Sequence, residues 1–375
     1  MKKVLIIQTL VKQYRVSFFE QLDQALKSEG IQLRVAYGDP TEAERQKLDN
    51  VELSSEIGLK VQNYWFLNDK LLYQSLWTEI FKSDLVIVEQ ASRHILNYFL
   101  LLFSTLKLKK VAFWGHGWDR QAETPKFSEW IKLKTINKVD WWFAYTEGTA
   151  KYLKQCGVPK NIITVVQNSI DTEEFKQYLL NVTSEDLERV REKLKLKNTD
   201  KIGLFCGGLY ANKHWKFLLE SNHLIRQSIP EFKLLVLGDG PDRQQVIQTV
   251  NQHPEVLYLG SKFGYEKALY FRLSDVFLIP GLVGLAILDA FVAGVPVVTT
   301  DIPIHSPEIE YLIPEINGFV TEHNQQEYAH KVINLLLDEQ GLTQLKSGAL
   351  DSSKHYNVET MVNNFKEGIL KALLK

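Results

Sequence analysis

Two kinds of segment alternate along the chain. Val4–Gln8, Ile31–Tyr37, Asp84–Glu89, Lys110–Gly115, Asp140–Thr146 and Ile162–Gln167 are short apolar runs rich in β-branched and aromatic residues, as strands require. Between them the apolar positions recur at helical spacing. Val16–Ser28 places Phe18, Phe19, Leu22 and Leu26 on one face, and helices are also predicted near Arg93–Leu106, Phe127–Asn137 and Glu147–Cys156. Continuous apolar strands separated by helices imply a parallel sheet covered on both faces.

From Asp171 to Asp200 the pattern changes to a stretch rich in Glu, Lys and Arg, read as a charged linker over 171–200 with one solvated helix. A second alternating series then begins. Strands are expected at Ile202–Cys206, Lys233–Leu237, Val256–Leu259, Val276–Ile279 and Val295–Thr299. Helices are expected at His214–Ser228, Asp242–Asn251, Tyr265–Leu273 and Leu285–Ala293. The economical architecture is α/β: two Rossmann-like, doubly wound domains, 1–170 and 201–355, facing across a cleft that holds the ligand. The pattern Val358–Leu374, within 356–375, predicts a final helix that packs back on the first domain.

Composition narrows the class. The 375 residues suffice for two cores, and the 45% hydrophobic and 24% charged content is that of a globular protein. The opening Met1–Ile7 is too short an apolar run for a signal peptide, and no stretch reaches the roughly 20 apolar residues of a membrane span. Two cysteines, Cys156 and Cys206, lie in unrelated stretches and suit a reducing cytoplasm better than a disulfide or zinc framework. Asn181-Val182-Thr183 is a formal glycosylation acceptor with no export signal beside it. Net charge is −1, but residues 1–170 hold 23 Lys and Arg against 18 Asp and Glu, and seven of the eight tryptophans. A basic, Trp-rich half fits peripheral contact with an anionic membrane, and equally a solvated surface over an aromatic core. Nucleic acid is not an expected partner.

The most informative stretch for chemistry is Pro280–Phe291. A strand ends at Ile279, Gly281, Leu282, Val283 and Gly284 form a loop, and a helix begins near Leu285. Unpaired amides at a helix start suit a diphosphate, and Gly284 allows close backbone approach. Asp289, one turn on, is placed to accept ribose hydroxyls. A tight strand–helix turn with an exposed Asp explains the same residues about as well.

This stretch, continued by Gly294-Val295-Pro296-Val297-Val298-Thr299-Thr300, Glu308 and Asn317-Gly318-Phe319-Val320, resembles the C-terminal domain of the retaining glycosyltransferase family 4, whose members have the GT-B fold. The family carries a glutamate, seven residues, then a second glutamate. Here the second is Asp289 and the first falls on Gly281, removing the side chain usually set against a donor-sugar hydroxyl. In Leu204–His214 the family's G-R-L places an arginine where this chain has Gly208, and its lysine matches Lys213. The resemblance implies that the arginine and lysine positions serve the donor diphosphate; with Gly208 at the first, our own expectation is that His214 or Arg243 supplies the missing cation. Val236-Leu237-Gly238-Asp239-Gly240-Pro241 matches a further turn of the family near the nucleotide.

In the first half, Phe113-Trp114-Gly115-His116-Gly117-Trp118 ends a strand in a loop, and the family commonly has His-Gly here. That makes His116 the catalytic-site candidate, orienting the donor sugar while the leaving phosphate takes the acceptor's proton. The loop after the first strand carries Tyr14 and Arg15, a pair found in related transferases and expected to meet the acceptor. Trp118, Arg120 and Trp130 are weaker acceptor candidates. Asn168-Ser169-Ile170-Asp171 resembles the family's turn at the domain crossover.

The resemblance therefore implies transfer of a sugar from a UDP- or GDP-linked donor to a saccharide or lipid-linked acceptor, in bacterial cell-surface polysaccharide synthesis. No metal or other cofactor is expected, as the sequence lacks an Asp-x-Asp pair and any H-E-x-x-H. His323 and His330 read as surface residues. The competing readings are a sugar-nucleotide epimerase of the same fold, or a silent sugar-nucleotide binding subunit.

Overall fold

The computed structural model describes residues 1–45, 50–117 and 126–375. They divide into two units, Met1–Asp171 with Val358–Lys375, and Thr172–Asn357.

In the first unit the apolar runs form the central strands, joined by shorter and less buried ones. These are β1 (Lys2–Ile7), β2 (Ile31–Tyr37), β3 (Gly58–Lys60), β4 (Asn63–Phe66), β5 (Leu71–Gln74), β6 (Leu85–Glu89), β7 (Lys110–Gly115), β8 (Trp141–Ala144) and β9 (Ile163–Val165). All but β4 and β5 form one parallel sheet in the order β3-β2-β1-β6-β7-β8-β9. The two exceptions make an antiparallel hairpin that the hydrophobic pattern does not announce. The helix Val16–Lys27 buries Phe18, Phe19, Leu22 and Leu26, the face its spacing predicts. The final helix, Val358–Leu374, completes this core. Phe365 stacks on Phe143 at 4.2 Å and meets Phe18 edge-on at 5.3 Å.

The second unit repeats the plan with β10 (Ile202–Cys206), β11 (Lys233–Leu237), β12 (Val256–Gly260), β13 (Val276–Leu278), β14 (Val297–Thr300) and β15 (Gly318–Thr321), ordered β12-β11-β10-β13-β14-β15. Every pairing in it is parallel. Doubly wound sheets open a crevice where strand order reverses, at the carboxyl ends of the strands. That point lies between β1 and β6 in the first unit and between β10 and β13 in the second.

The 171–200 stretch differs from its reading as a linker with one helix. It forms two helices, Glu173–Asn181 and Ser184–Leu194, belonging to the second unit. Phe175 and Leu179 are buried, and Phe175 packs edge-on against Phe271 at 5.3 Å. Each helix buries only one narrow face, so the sequence reads as charged although the chain is folded. The Asn181-Val182-Thr183 site is a helix boundary: Thr183 Oγ1 accepts from the Asp186 amide, and Asp186 accepts from the Thr183 amide in return.

Candidate functional site

At the reversal point of the second sheet, the loops after β10, β13 and β14 are tied together. Thr300, ending β14, donates through Oγ1 to the Pro280 carbonyl at 2.6 Å. The Val283 amide donates to Nδ1 of buried His305 at 3.0 Å, and His305 Nε2 lies 2.7 Å from the Thr300 carbonyl. A ring nitrogen that accepts carries no proton, so His305 is held as the Nε2–H tautomer with both nitrogens engaged. The amide of Val283, one of the expected donor contacts, is therefore committed to shaping the loop. The amides of Gly284 and Leu285 make no hydrogen bond among the described residues. They precede the helix Ala286–Val292 and remain available to an acceptor.

Lys213 meets this loop from the other side. Its ammonium donates to the Leu282 carbonyl, while the Leu282 amide donates to the Asn212 carbonyl at 2.8 Å. Burial lowers the Lys213 pKa from 10.5 to about 8, and among the described residues no carboxylate pairs with it. The nearby Cys206 thiol is pushed up to about 11 by burial, so it is neutral and offers no counter-charge. A desolvated cation bonded to the loop that carries two amides without a partner among the described residues suits an anion.

Asp289 is buried on the helix that follows and forms a 2.6 Å ion pair with Lys267. Burial lowers the Lys267 pKa, but the Asp289 carboxylate, with a further contribution from Cys206, makes the net shift upward. The Lys267 ammonium also lies 4.5 Å from the Phe175 ring centre. Nothing local in the sequence marks Lys267, which is one lysine in the helix Gly264–Leu273.

Both departures from the family pattern are filled by neighbours. A Cβ on Gly281 would stand 2.3 Å from the Asn212 carbonyl oxygen and 2.4 Å from the Lys213 carbonyl carbon. On Gly208 it would meet the Tyr210 ring at 2.3 Å. Of the substitute cations, exposed Arg243 pairs with Asp239 at 3.5 Å. The His214 ring packs against that of His323 at 4.8 Å. His323 stays exposed, yet stacks on Phe217 at 4.5 Å and bonds Thr300 at 2.9 Å, more structure than a bare surface residue has.

In the first unit a cavity of about 280 Å³ opens at the reversal point between β1 and β6. The β1 loop supplies Lys12, Tyr14 and Arg15, and Trp65 comes from the hairpin. Glu89 and Arg93 come from the end of β6, with no side-chain hydrogen bond or ion pair among the described residues. Aromatic faces among charged and carboxylate groups suit a polyhydroxylated ligand. Tyr14 is exposed here, as an acceptor contact requires, but Arg15 is buried. Its guanidinium bonds Asn168 Oδ1 and, at 3.2 Å, the Ser169 carbonyl, and lies 5.2 Å over Trp114. Arg15 thus pins the Asn168-Ser169 turn and forms the cavity floor. His116 is exposed at the end of β7, its ring 4.3 Å from that of Tyr145, which also lines the cavity. Trp130 is exposed, while Trp118 and Arg120 lie outside the described residues. Among the described residues no cluster of three His, Cys, Asp or Glu is arranged to hold a metal.

Two family models match the chain: "Glycosyltransferase Family 4" over residues 17–174 and "Glycosyl transferases group 1" over 200–338. The alpha-monoglucosyldiacylglycerol synthase of Acholeplasma laidlawii is 24% identical over 202 residues, 52% of this chain and 49% of the relative. The chain thus spans about half the length of that relative. HepE of Anabaena, solved in complex with UDP, is 17% identical with a TM-score of 0.71, covering 99% of this chain and 100% of that one. A glycosyltransferase of Rickettsia africae is likewise 17% identical, with a TM-score of 0.72 over 100% and 99% of the two chains. With both halves matched by models of this family, the chain belongs to glycosyltransferase family 4, and its likeness to the solved structures shows the two-domain GT-B fold.

Proposed function

We propose that the protein transfers a hexosyl group, with retention at the anomeric carbon, from a UDP- or GDP-linked sugar to a saccharide or lipid-linked saccharide. The observation that carries this reading is Lys213, a buried ammonium with no carboxylate partner among the described residues, bonded to the loop whose Gly284 and Leu285 amides make no hydrogen bond among those residues. A donor diphosphate supplies the missing negative charge. Relatives of the same fold solved with UDP and with UDP-glucose support a nucleotide sugar as the occupant.

In the reaction the bond from the anomeric carbon to the diphosphate oxygen breaks, and its electron pair leaves on phosphate. Lys213 and the two amides stabilise that growing charge in place of a metal. The acceptor hydroxyl forms its bond on the face the phosphate is leaving, and its proton passes to the phosphate oxygen. Asp289, held by Lys267, receives the ribose hydroxyls. His116 orients the donor sugar, and the cavity around Tyr14, Trp65 and Glu89 receives the acceptor. The proposed setting is cytoplasmic, in cell-surface polysaccharide synthesis.

The test is to incubate the protein with panels of UDP- and GDP-sugars and of free and lipid-linked saccharides, reading products by mass spectrometry and the new linkage by NMR. Transfer with retained configuration is expected from at least one donor. Nucleotide-sugar binding without transfer across the panel supports a silent binding subunit instead.

A further inference from the structure

The helix Ile95–Thr105 has the sequence ILNYFLLLFST, with no charged residue on any side. A helix this rich in large apolar residues and without charge is ordinarily enclosed. Here only one face is, with Leu96, Leu100 and Leu101 in the core. On the outer face Leu102 is 52% exposed and Leu106, one residue beyond the helix, 57%. Phe99 is exposed as well and packs edge-on against Trp77 at 5.6 Å. Trp77 also contacts Phe103 and Phe81, and Phe81 is 59% exposed. The stripe ends at Leu108, 62% exposed. Contiguous apolar surface of this kind marks a contact with something outside the chain.

Charge identifies the partner. Phe81 and Leu108 also line a groove of about 560 Å³ at the amino ends of the strands, which holds six lysines against two aspartates. Lys2 pairs with Asp84 and Lys107 with Asp140, each by a single contact. Among the described residues the hydrogen bonds of Lys109 and Lys110 go to backbone carbonyls, those of Phe81 and Ser83 and of Ala372 and Leu373. A second copy on the same face would set lysines against lysines, whereas a bilayer with anionic head groups complements both the lysines and the aromatic stripe. At 11 residues the helix is too short to span, and no described helix is long and apolar enough to cross a membrane, so the contact lies along the surface.

We propose that Phe81, Phe99, Leu102, Leu106 and Leu108, with the adjoining lysines, seat this unit on an anionic membrane surface. The inference is independent of the donor chemistry, so either can fail alone. The test is flotation of the full chain with vesicles of phosphatidylglycerol and phosphatidylcholine in equal parts, and of phosphatidylcholine alone. The wild type is expected to float with the anionic vesicles and to be released by high salt. Leu102→Ser with Leu106→Ser, both exposed and so compatible with folding, should weaken binding about tenfold or more. Lys82→Gln with Lys107→Gln should weaken it about fivefold per lysine. Unchanged melting and nucleotide binding in these variants separate loss of the surface from loss of the fold. Failure of the wild type to float with anionic vesicles overturns the proposal. So does binding indifferent to both pairs of substitutions, or a dimer by light scattering that the serine substitutions dissolve.

Discussion

Gly281 lies so close beneath Lys213 that a Cβ built on it would stand 2.4 Å from the Lys213 carbonyl carbon. The contact joins the loop after β13 to the loop after β10 through backbone, which cannot swing aside as a side-chain tip does. The missing carboxylate of the family pattern is therefore also a packing feature. Gly281→Ala is expected to destabilise the protein by about 1–3 kcal/mol, and Gly281→Glu by at least as much without restoring activity. Gly284→Ala is the control: its nearest neighbour would be Ser306 Oγ at 3.9 Å, so melting should stay at the wild-type value. Chemical denaturation of the three variants decides it, and a stable, more active Gly281→Glu would refute the packing argument.

Lys213 makes two pH-dependent predictions. Its folded pKa of about 8 lies below the roughly 10.4 of an unfolded lysine, so the cost of burying its charge is fully present below pH 8. Between pH 8 and about 10 the unfolded state holds more protons, and that cost is relieved as pH rises. Lys213→Met should remove this component, so the stability difference between variant and wild type narrows across that window. Donor affinity runs the other way. The anion needs the ammonium, so wild-type Kd should rise above pH 8 by up to about tenfold per unit. Chemical denaturation at each pH checks the stability slope, and calorimetric titration with UDP and GDP across the same range, in both proteins, checks the affinity slope.

The Lys267–Asp289 pair is buried and supports the ribose side. Removing one member strands the other charge, so Asp289→Asn is expected to cost about 3 kcal/mol. The Lys267→Met, Asp289→Asn double variant should recover part of that stability while nucleotide affinity stays low. Additive losses in the double-mutant cycle would mean the two residues are not coupled.

What was legible in the sequence follows from which signals are local. Strands such as Ile31–Tyr37 and Lys110–Gly115 are buried on both faces, so their apolar runs mark them to the residue. Gly284 and Asp289 stand out because a strand end and helix start at a sheet's carboxyl edge is where ligands bind, whereas Lys213 stands out only through the family resemblance. The hairpin of β4 and β5 leaves little trace because each strand has only four residues, β4 alternates between half-buried and exposed, and of the buried positions of β5 only Leu72 is apolar. Lys267 and His305 were missed because each acts through a partner distant in the chain, Asp289 and Val283 respectively. The role of Arg15 in fixing Asn168 and Ser169 spans more than 150 residues and leaves no local trace.

The first-unit cavity predicts a separable acceptor effect. Trp65→Ala should raise the acceptor KM about tenfold, with donor Kd unchanged, since a lost aromatic face removes binding at that site alone. Steady-state kinetics with the acceptor varied at saturating donor supplies the split. An equal fall in donor affinity would remove Trp65 from the acceptor's side.

The central claim is that Lys213 and the Gly284 and Leu285 amides hold a nucleoside diphosphate. The most direct measurement is calorimetric titration at pH 7 with UDP and GDP, each against its own nucleoside, in the wild type and in Lys213→Met. The account predicts that at least one diphosphate binds about tenfold or more tighter than its nucleoside, and that Lys213→Met erases most of the difference. Equal affinity for nucleoside and diphosphate, or a preference that survives in Lys213→Met, would contradict it.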